Sequence, residues 1–183
     1  MRIVAGERRG LRLQAPPGDL VRPTSDRVRQ ALFSMLGDVS GAIVLDAFAG
    51  SGALGLEALS RGAEHAHLWE RAPAALRAIA ANVERLDYGS RTTVVRGDSL
   101  RLLARDHRRG VRYDLIVLDP PYTILAALQR SLAQHLAPIL ASAGVVALES
   151  PSVLPVPELG LPADRERIHG DTRITLHRHP AGS

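Results

Sequence analysis

The sequence predicts an α/β fold: a mostly parallel sheet with helices on both faces, preceded by a short basic hairpin. Apolar runs of strand length at 43–45, 66–69, 92–95, 115–118 and 145–148 alternate with helical stretches. Such alternation implies right-handed crossovers and a parallel sheet covered on both sides. The tail departs from it. Residues 165–169 and 172–178 form two strand patterns about Gly170-Asp171, with Ile174 and Leu176 alternating with polar neighbours, as in an antiparallel edge hairpin.

The elements follow in order. Ile3, Val4, Leu11 and Leu13 flank a turn region at 6–10, and Pro16-Pro17-Gly18 then breaks the chain. A helix is expected from about Pro23, capped by Thr24 or Ser25, with Asp26 in its positive first turn. Val28, Ala31, Leu32, Met35 and Leu36 give it one buried stripe. Later helices are expected at 53–61, ended by Gly62; at 73–86, with Pro73 in the first turn; briefly near 100–105; and at 124–140. The proline-rich stretch 153–162 reads as a loop. The organisation expected is a hairpin or arm over 1–21 and one domain over 22–183.

Composition narrows the function. The chain has 183 residues and no cysteine, so disulfides, thiol nucleophiles and cysteine-held metals are excluded. No apolar run reaches the ~20 residues of a membrane span, and the first residues lack a signal peptide's apolar core. A cytoplasmic protein, apart from membranes, is expected. All 23 basic residues are arginine. Residues 1–29 hold seven of them against three acids, so this segment carries +4, while 30–183 balance at 16 against 16. A basic arm on a neutral body fits an anionic partner, and arginine's planar fork suits phosphate. Arg2, Arg8, Arg9, Arg12, Arg22, Thr24 and Arg27 are the candidates for nucleic-acid contact. No aromatic residue stands among the first 29, so phosphate contact rather than base stacking is expected there.

The first strand runs into Asp46-Ala-Phe-Ala-Gly50-Ser-Gly52. Ligands of open α/β sheets bind beyond the carboxyl ends of strands. Gly50 and Gly52 permit a tight turn and close approach of a ligand, and the next helix offers free N–H groups. Glu70 ends the second strand twenty residues after Gly50, where a carboxylate can accept ribose hydroxyls. Asp98, ending the third, is placed for an adenine edge. Asp46 would repel a pyrophosphate but suit a ligand with an ammonium, which favours S-adenosylmethionine over a nicotinamide dinucleotide. Phe48, Ser51, Arg71 and Ser99 complete the expected cofactor set.

The fourth strand ends in Asp119-Pro120-Pro121-Tyr122. Proline fixes φ and has no N–H, so the carbonyls here point rigidly. The Asp119 carboxylate and the Pro120 carbonyl can hold the two N–H bonds of an amine on a flat ring, and Tyr122 can stack on that ring. His65/His67 and His177/His179 share strand faces, but without cysteine or a ligand-spaced acid no metal is expected.

These motifs resemble a class I S-adenosylmethionine-dependent methyltransferase. More specifically, the chain is similar to the RsmD family, bacterial small-subunit (16S) ribosomal RNA guanine-N2 methyltransferases. The similarity lies in Arg2-Ile-Val-Ala-Gly, Arg22-Pro-Thr-Ser-Asp-Arg-Val-Arg-Gln-Ala-Leu-Phe, Phe48-Ala-Gly-Ser-Gly-Ala-Leu-Gly-Leu-Glu-Ala-Leu-Ser-Arg, Asp119-Pro-Pro-Tyr and Gly170-Asp-Thr. The resemblance implies a Rossmann-like class I fold with a seven-stranded sheet whose last strand is antiparallel. It also implies methyl transfer to N2 of a 16S rRNA guanine, of the 966 type. The chain has little room for a separate target-recognition domain, so a substrate that supplies its own shape, a small subunit or assembly intermediate, fits better, and a monomer is expected. The stretch 151–162 and His169, where an aromatic residue often stands, depart from the family pattern. The alternatives are an amino-group methyltransferase of DNA or protein glutamine, a nicotinamide-dependent oxidoreductase, and a non-catalytic RNA-binding module.

Overall fold

A computed structural model of the chain describes residues 1–17 and 25–180. One seven-stranded sheet organises it, in the order β3-β2-β1-β4-β5-β7-β6. The strands are β1 (Ile43–Asp46), β2 (His65–Glu70), β3 (Thr92–Arg96), β4 (Tyr113–Leu118), β5 (Leu140–Pro151), β6 (Ala163–His169) and β7 (Thr172–His177). The first five pair in parallel; β7 inserts antiparallel between β5 and β6. The antiparallel tail is therefore as expected, and the whole is a Rossmann-like doubly wound sheet.

The helices are α1 (Asp26–Leu36), α2 (Ala53–Ser60), α3 (Pro73–Leu86), α4 (Ser99–Arg109) and α5 (Leu125–Ile139). Strand alternation sorts the core into two layers. Val44, Leu115, Val117 and Ala147 face Leu32, Leu56, Leu59 and Ile79 of α1 to α3. Leu45, Ile116, Leu118 and Leu148 face Leu103, Leu128, Leu132 and Leu136 of α4 and α5. Helices thus cover both faces, as parallel crossovers require.

Local chemistry sets the helix ends. The Ser25 side chain accepts from the Val28 N–H, so serine caps α1. Thr24 and Arg22 lie outside the described residues. Asp98 caps α4 through the Arg101 N–H, and α4 runs on to Arg109, where Gly110 takes a left-handed φ of 66°. The helix is longer than the short stretch expected because its late turns, His107 to Arg109, are polar and carry no apolar signal. β5 is also longer than its apolar run. It begins at Leu140, pairs with Tyr113, and resumes register at Val145. Residues 153–162 form no strand or helix up to β6, yet Leu159 and Leu161 are buried on the α5 side.

The first residues make the expected hairpin through the Arg2–Arg12 bridge. It is packed rather than loose. Ile3 and Leu13 enter the core, and the buried Glu57 carboxylate accepts the Val4 and Ala5 N–H groups at 2.7 and 2.9 Å. Asn82 adds a reciprocal pair of bonds to Gln14.

Candidate active site

A cavity of about 970 Å³ opens at the carboxyl ends of the parallel strands. Its walls come from successive strand ends: Phe48 and Gly50 after β1, Glu70 and Arg71 at β2, and Asp98 and Ser99 after β3. Asp119 to Tyr122 follow β4 and line the same cavity, so the Gly50 loop and the proline motif share one space. Val28 and Arg27 of α1 and its cap Ser25 close one side, and the β6–β7 turn, His169 to Thr172, closes another.

The glycine loop is built by glycine's freedom. Gly50 and Gly52 have φ of 54° and 79°, a region that costs other residues energy. Glu70 then fixes the loop. Its Oε2 accepts the Gly50 N–H at 2.9 Å, and Oε1 accepts the Arg71 and Ala72 N–H groups at 2.7 and 2.8 Å. A carboxylate has about four acceptor positions, so Glu70 retains room for a hydroxyl while holding three backbone donors. The Ser99 hydroxyl donates to the Ala47 carbonyl at 2.5 Å, tying α4 to the end of β1. Asp98 Oδ2 lies 3.9 Å from Arg71.

Asp46, Ser51 and Gly52 stand behind the loop, not on the cavity wall. Asp46 is only 1% exposed; one carboxylate oxygen accepts the Gly55 N–H at 3.1 Å and the other is buried without a hydrogen bond. Burial, reinforced by the nearby Asp119 and Glu70 charges, pushes its carboxyl up to about 7. The ammonium contact expected of Asp46 would thus have to reach it from behind the cavity wall. The Ser51 carbonyl accepts from Asn82, which anchors the loop from below.

In the proline motif, Pro120 is buried and Pro121 exposed. The Tyr122 hydroxyl lies 3.2 Å from Thr172 Oγ1 and 3.4 Å from Glu149 Oε1, which binds the motif to β5 and β7. Burial raises the Tyr122 phenol above its ordinary range, so it stays protonated near neutrality.

Of the arginines, Arg27 lies on the cavity rim. Arg9 and Arg12 are exposed. Arg2 pairs with Asp26 at 3.2 Å, and Arg8 packs over the Tyr88 ring. Glu149, on the cavity wall, escaped the sequence reading. It directly follows the apolar run 145–148, the same signal that marked Glu70 and Asp119 at their strand ends. Among the described residues no cluster of three or more acids or histidines is arranged for a metal, and no helix is long and apolar enough to cross a membrane.

The sheet order and the cavity at its carboxyl edge define a class I methyltransferase fold. The family model described as "Conserved hypothetical protein 95" matches residues 1–178. The chain is 34% identical to Ribosomal RNA small subunit methyltransferase D of Escherichia coli (strain K12), over 99% of this chain and 91% of that one. It therefore belongs to this family, the one its motifs resembled. A solved structure of a hypothetical protein from Thermus thermophilus superposes with a TM-score of 0.82 at 34% identity, covering 97% and 99% of the two chains. The fold alone extends further. A structure titled precorrin 8W decarboxylase, from Methanobacterium thermoautotrophicum, covers 92% of this chain and 97% of its own, at a TM-score of 0.68 and 16% identity. Chemistry must accordingly be argued from the site.

Proposed function

We propose that the protein methylates the exocyclic N2 of a guanine in 16S ribosomal RNA, with S-adenosylmethionine as donor. The observation that carries this reading is the shared cavity of Asp119 and the Gly50 loop. The name of the Escherichia coli relative supports ribosomal RNA as the substrate. Family resemblance adds the guanine-966 type of target; the small room left for a target-recognition domain favours a small subunit or assembly intermediate as substrate, and the protein is proposed to act as a cytoplasmic monomer. The 1–21 segment and the 22–183 domain are proposed to divide the work, the first contributing RNA contact.

The cavity's residues fit this donor. Glu70, which keeps an acceptor position, would hold a ribose hydroxyl, Asp98 and the α4 N-terminus would take the adenine edge, and Phe48 would supply apolar cover. When bound, S-adenosylmethionine supplies a methyl group on a positively charged sulfur. The protein's own work lies with the amine. The guanine N2 lone pair is delocalised into its ring and is a poor nucleophile. Asp119 accepts one N2–H and the Pro120 carbonyl accepts the other, which favours a more tetrahedral nitrogen whose lone pair points out of the ring plane. As N2 gains its new carbon it loses one proton, and Asp119 is placed to take it. Tyr122 stacks on the base drawn out of its neighbours. Positioning of this kind contributes most of the acceleration.

Asp119→Ala is the test. The variant is expected to fold, to bind S-adenosylmethionine with unchanged affinity in calorimetry, and to lose at least ~10²-fold in labelled-methyl transfer to undermethylated small subunits. Unaltered transfer would remove the clamp. Mass mapping of the product names the base.

A further inference from the structure

The amine clamp explains how a nitrogen is held but not why it should belong to guanine. Adenine and cytosine also carry a ring amine. They differ in the neighbour: guanine has a donor, N1–H, beside its N2 amine, where adenine and cytosine present a bare ring nitrogen. A site that selects guanine needs a second acceptor beside the first.

The sheet supplies one. Leu118 of β4 and Leu148 of β5 are register partners in a parallel pair. The next residues are Asp119 and Glu149, and both line the cavity. Adjacent strands lie roughly 4.8 Å apart, so Asp119 and Glu149 leave neighbouring strands side by side at the carboxyl end of the sheet. On the β5 side, Glu149 pairs in register with Ile174, two residues beyond Thr172 on β7. Its carboxylate is oriented by the Tyr122 hydroxyl at 3.4 Å, itself 3.2 Å from Thr172. The stacking residue and the second acid are thus one unit.

We propose that Glu149 is a specificity-determining residue that accepts the N1–H of the target guanine while Asp119 holds the adjacent N2 amine. This rests on the reading of Asp119 as the amine clamp. An adenine or cytosine edge brings a lone pair against Glu149 where guanine brings a proton, which is the kind of mismatch that polar sites reject strongly. Tyr122 acts on this choice as a positioning residue, through its hydroxyl.

The probe is 2-aminopurine, which keeps the 2-amine but has a bare N1. Undermethylated small-subunit RNA carrying guanine or 2-aminopurine at the methylated position is offered to the wild-type protein, Glu149→Gln and Tyr122→Phe, and kcat/KM is measured for each. Wild type is expected to prefer guanine by at least ~10²-fold. Glu149→Gln can donate its amide N–H to a bare N1, so its preference is expected to fall at least ~10-fold, with cofactor affinity by calorimetry unchanged. Tyr122→Phe keeps the ring and is expected to narrow the preference by a smaller factor. A guanine preference that stays at the wild-type value in both variants overturns the inference alone. Failure of wild type to methylate either RNA overturns the clamp reading and the inference with it.

Discussion

At the residue scale, Asp46 shows how packing can withdraw a side chain that sequence places at a ligand turn. Sequence placed it at the first turn, which is right, and gave it a ligand, but β1 buries it and turns it onto the Gly55 N–H. Packing decided the difference: an added Cβ at Gly55 would fall 2.3 Å from Leu68 and 3.4 Å from Asp46, so helix α2 sits directly on the acid. Sequence cannot report such a helix-on-strand approach. The acid's cost to the fold is measurable. Its carboxyl is raised to about 7 in the folded protein, so between about pH 4 and 7 the folded state binds more protons than the unfolded one. Stability contributed by this residue therefore falls as pH rises through that window. Asp46→Asn is expected to remove the slope and to be more stable than wild type near pH 8, by up to a few kcal/mol, with the gap closing near pH 4. Urea melts across pH measure it; a constant difference would refute the assignment. Glu149 makes the complementary point: the signal was present in the sequence, an acid directly after an apolar run, but only the register of β4 with β5 sets it beside Asp119.

At the element scale, the polar β6 and the alternating β7 were legible only as a hairpin about Gly170-Asp171. Apolar runs located the five parallel strands, because a parallel sheet covered on both faces leaves continuous apolar runs. What they could not locate were the polar ends: the last turns of α4, the first residues of β5, and the seat of the N-terminal hairpin. That seat depends on one buried acid. Glu57 is 0% exposed, takes two hairpin N–H groups, and receives Arg61 at 2.8 Å, with Arg29 Nε at 3.7 Å. Within α2 it looks like an ordinary surface glutamate. The hairpin turn lies equally close. Gly6 has φ of 83°, and a Cβ there would fall 1.7 Å from the Ser60 carbonyl oxygen. Gly6→Ala is therefore expected to lift the turn off α2 and to lose the Glu7 N–H bond to Ser60, costing about 2–4 kcal/mol. Calorimetric melting of this variant against Gly10→Ala separates contact from conformation. Gly10 has a similar φ of 87° with nothing within 4 Å of the added atom, so it should cost less.

At the scale of the whole molecule, the charge asymmetry read from sequence acquires a geometry. Among the described residues, Arg2, Arg8, Arg9 and Arg12 stand on the docked hairpin and Arg27 and Arg29 on α1, which also lines the cavity through Arg27, so basic charge and reactive site lie on connected elements. The structure further divides the arginines. Arg2 and Arg8 are engaged with Asp26 and Tyr88, whereas Arg9 and Arg12 are exposed at the hairpin. If the hairpin binds RNA phosphate, the exposed pair should dominate counterion release. Affinity for unmethylated RNA is expected to fall steeply with salt. Replacing both Arg9 and Arg12 by alanine should reduce the log–log slope by roughly 1.4, at ~0.7 for each single-strand phosphate no longer neutralised. Arg8→Ala should change the slope little and instead lower the melting temperature slightly, since it removes one of the two guanidinium groups over the Tyr88 ring and leaves Arg91 on it. Fluorescence anisotropy over a salt series resolves the two. Equal slopes for the double variant and wild type would move the RNA contact off the hairpin, leaving α1 and Arg27 at the cavity rim to supply it.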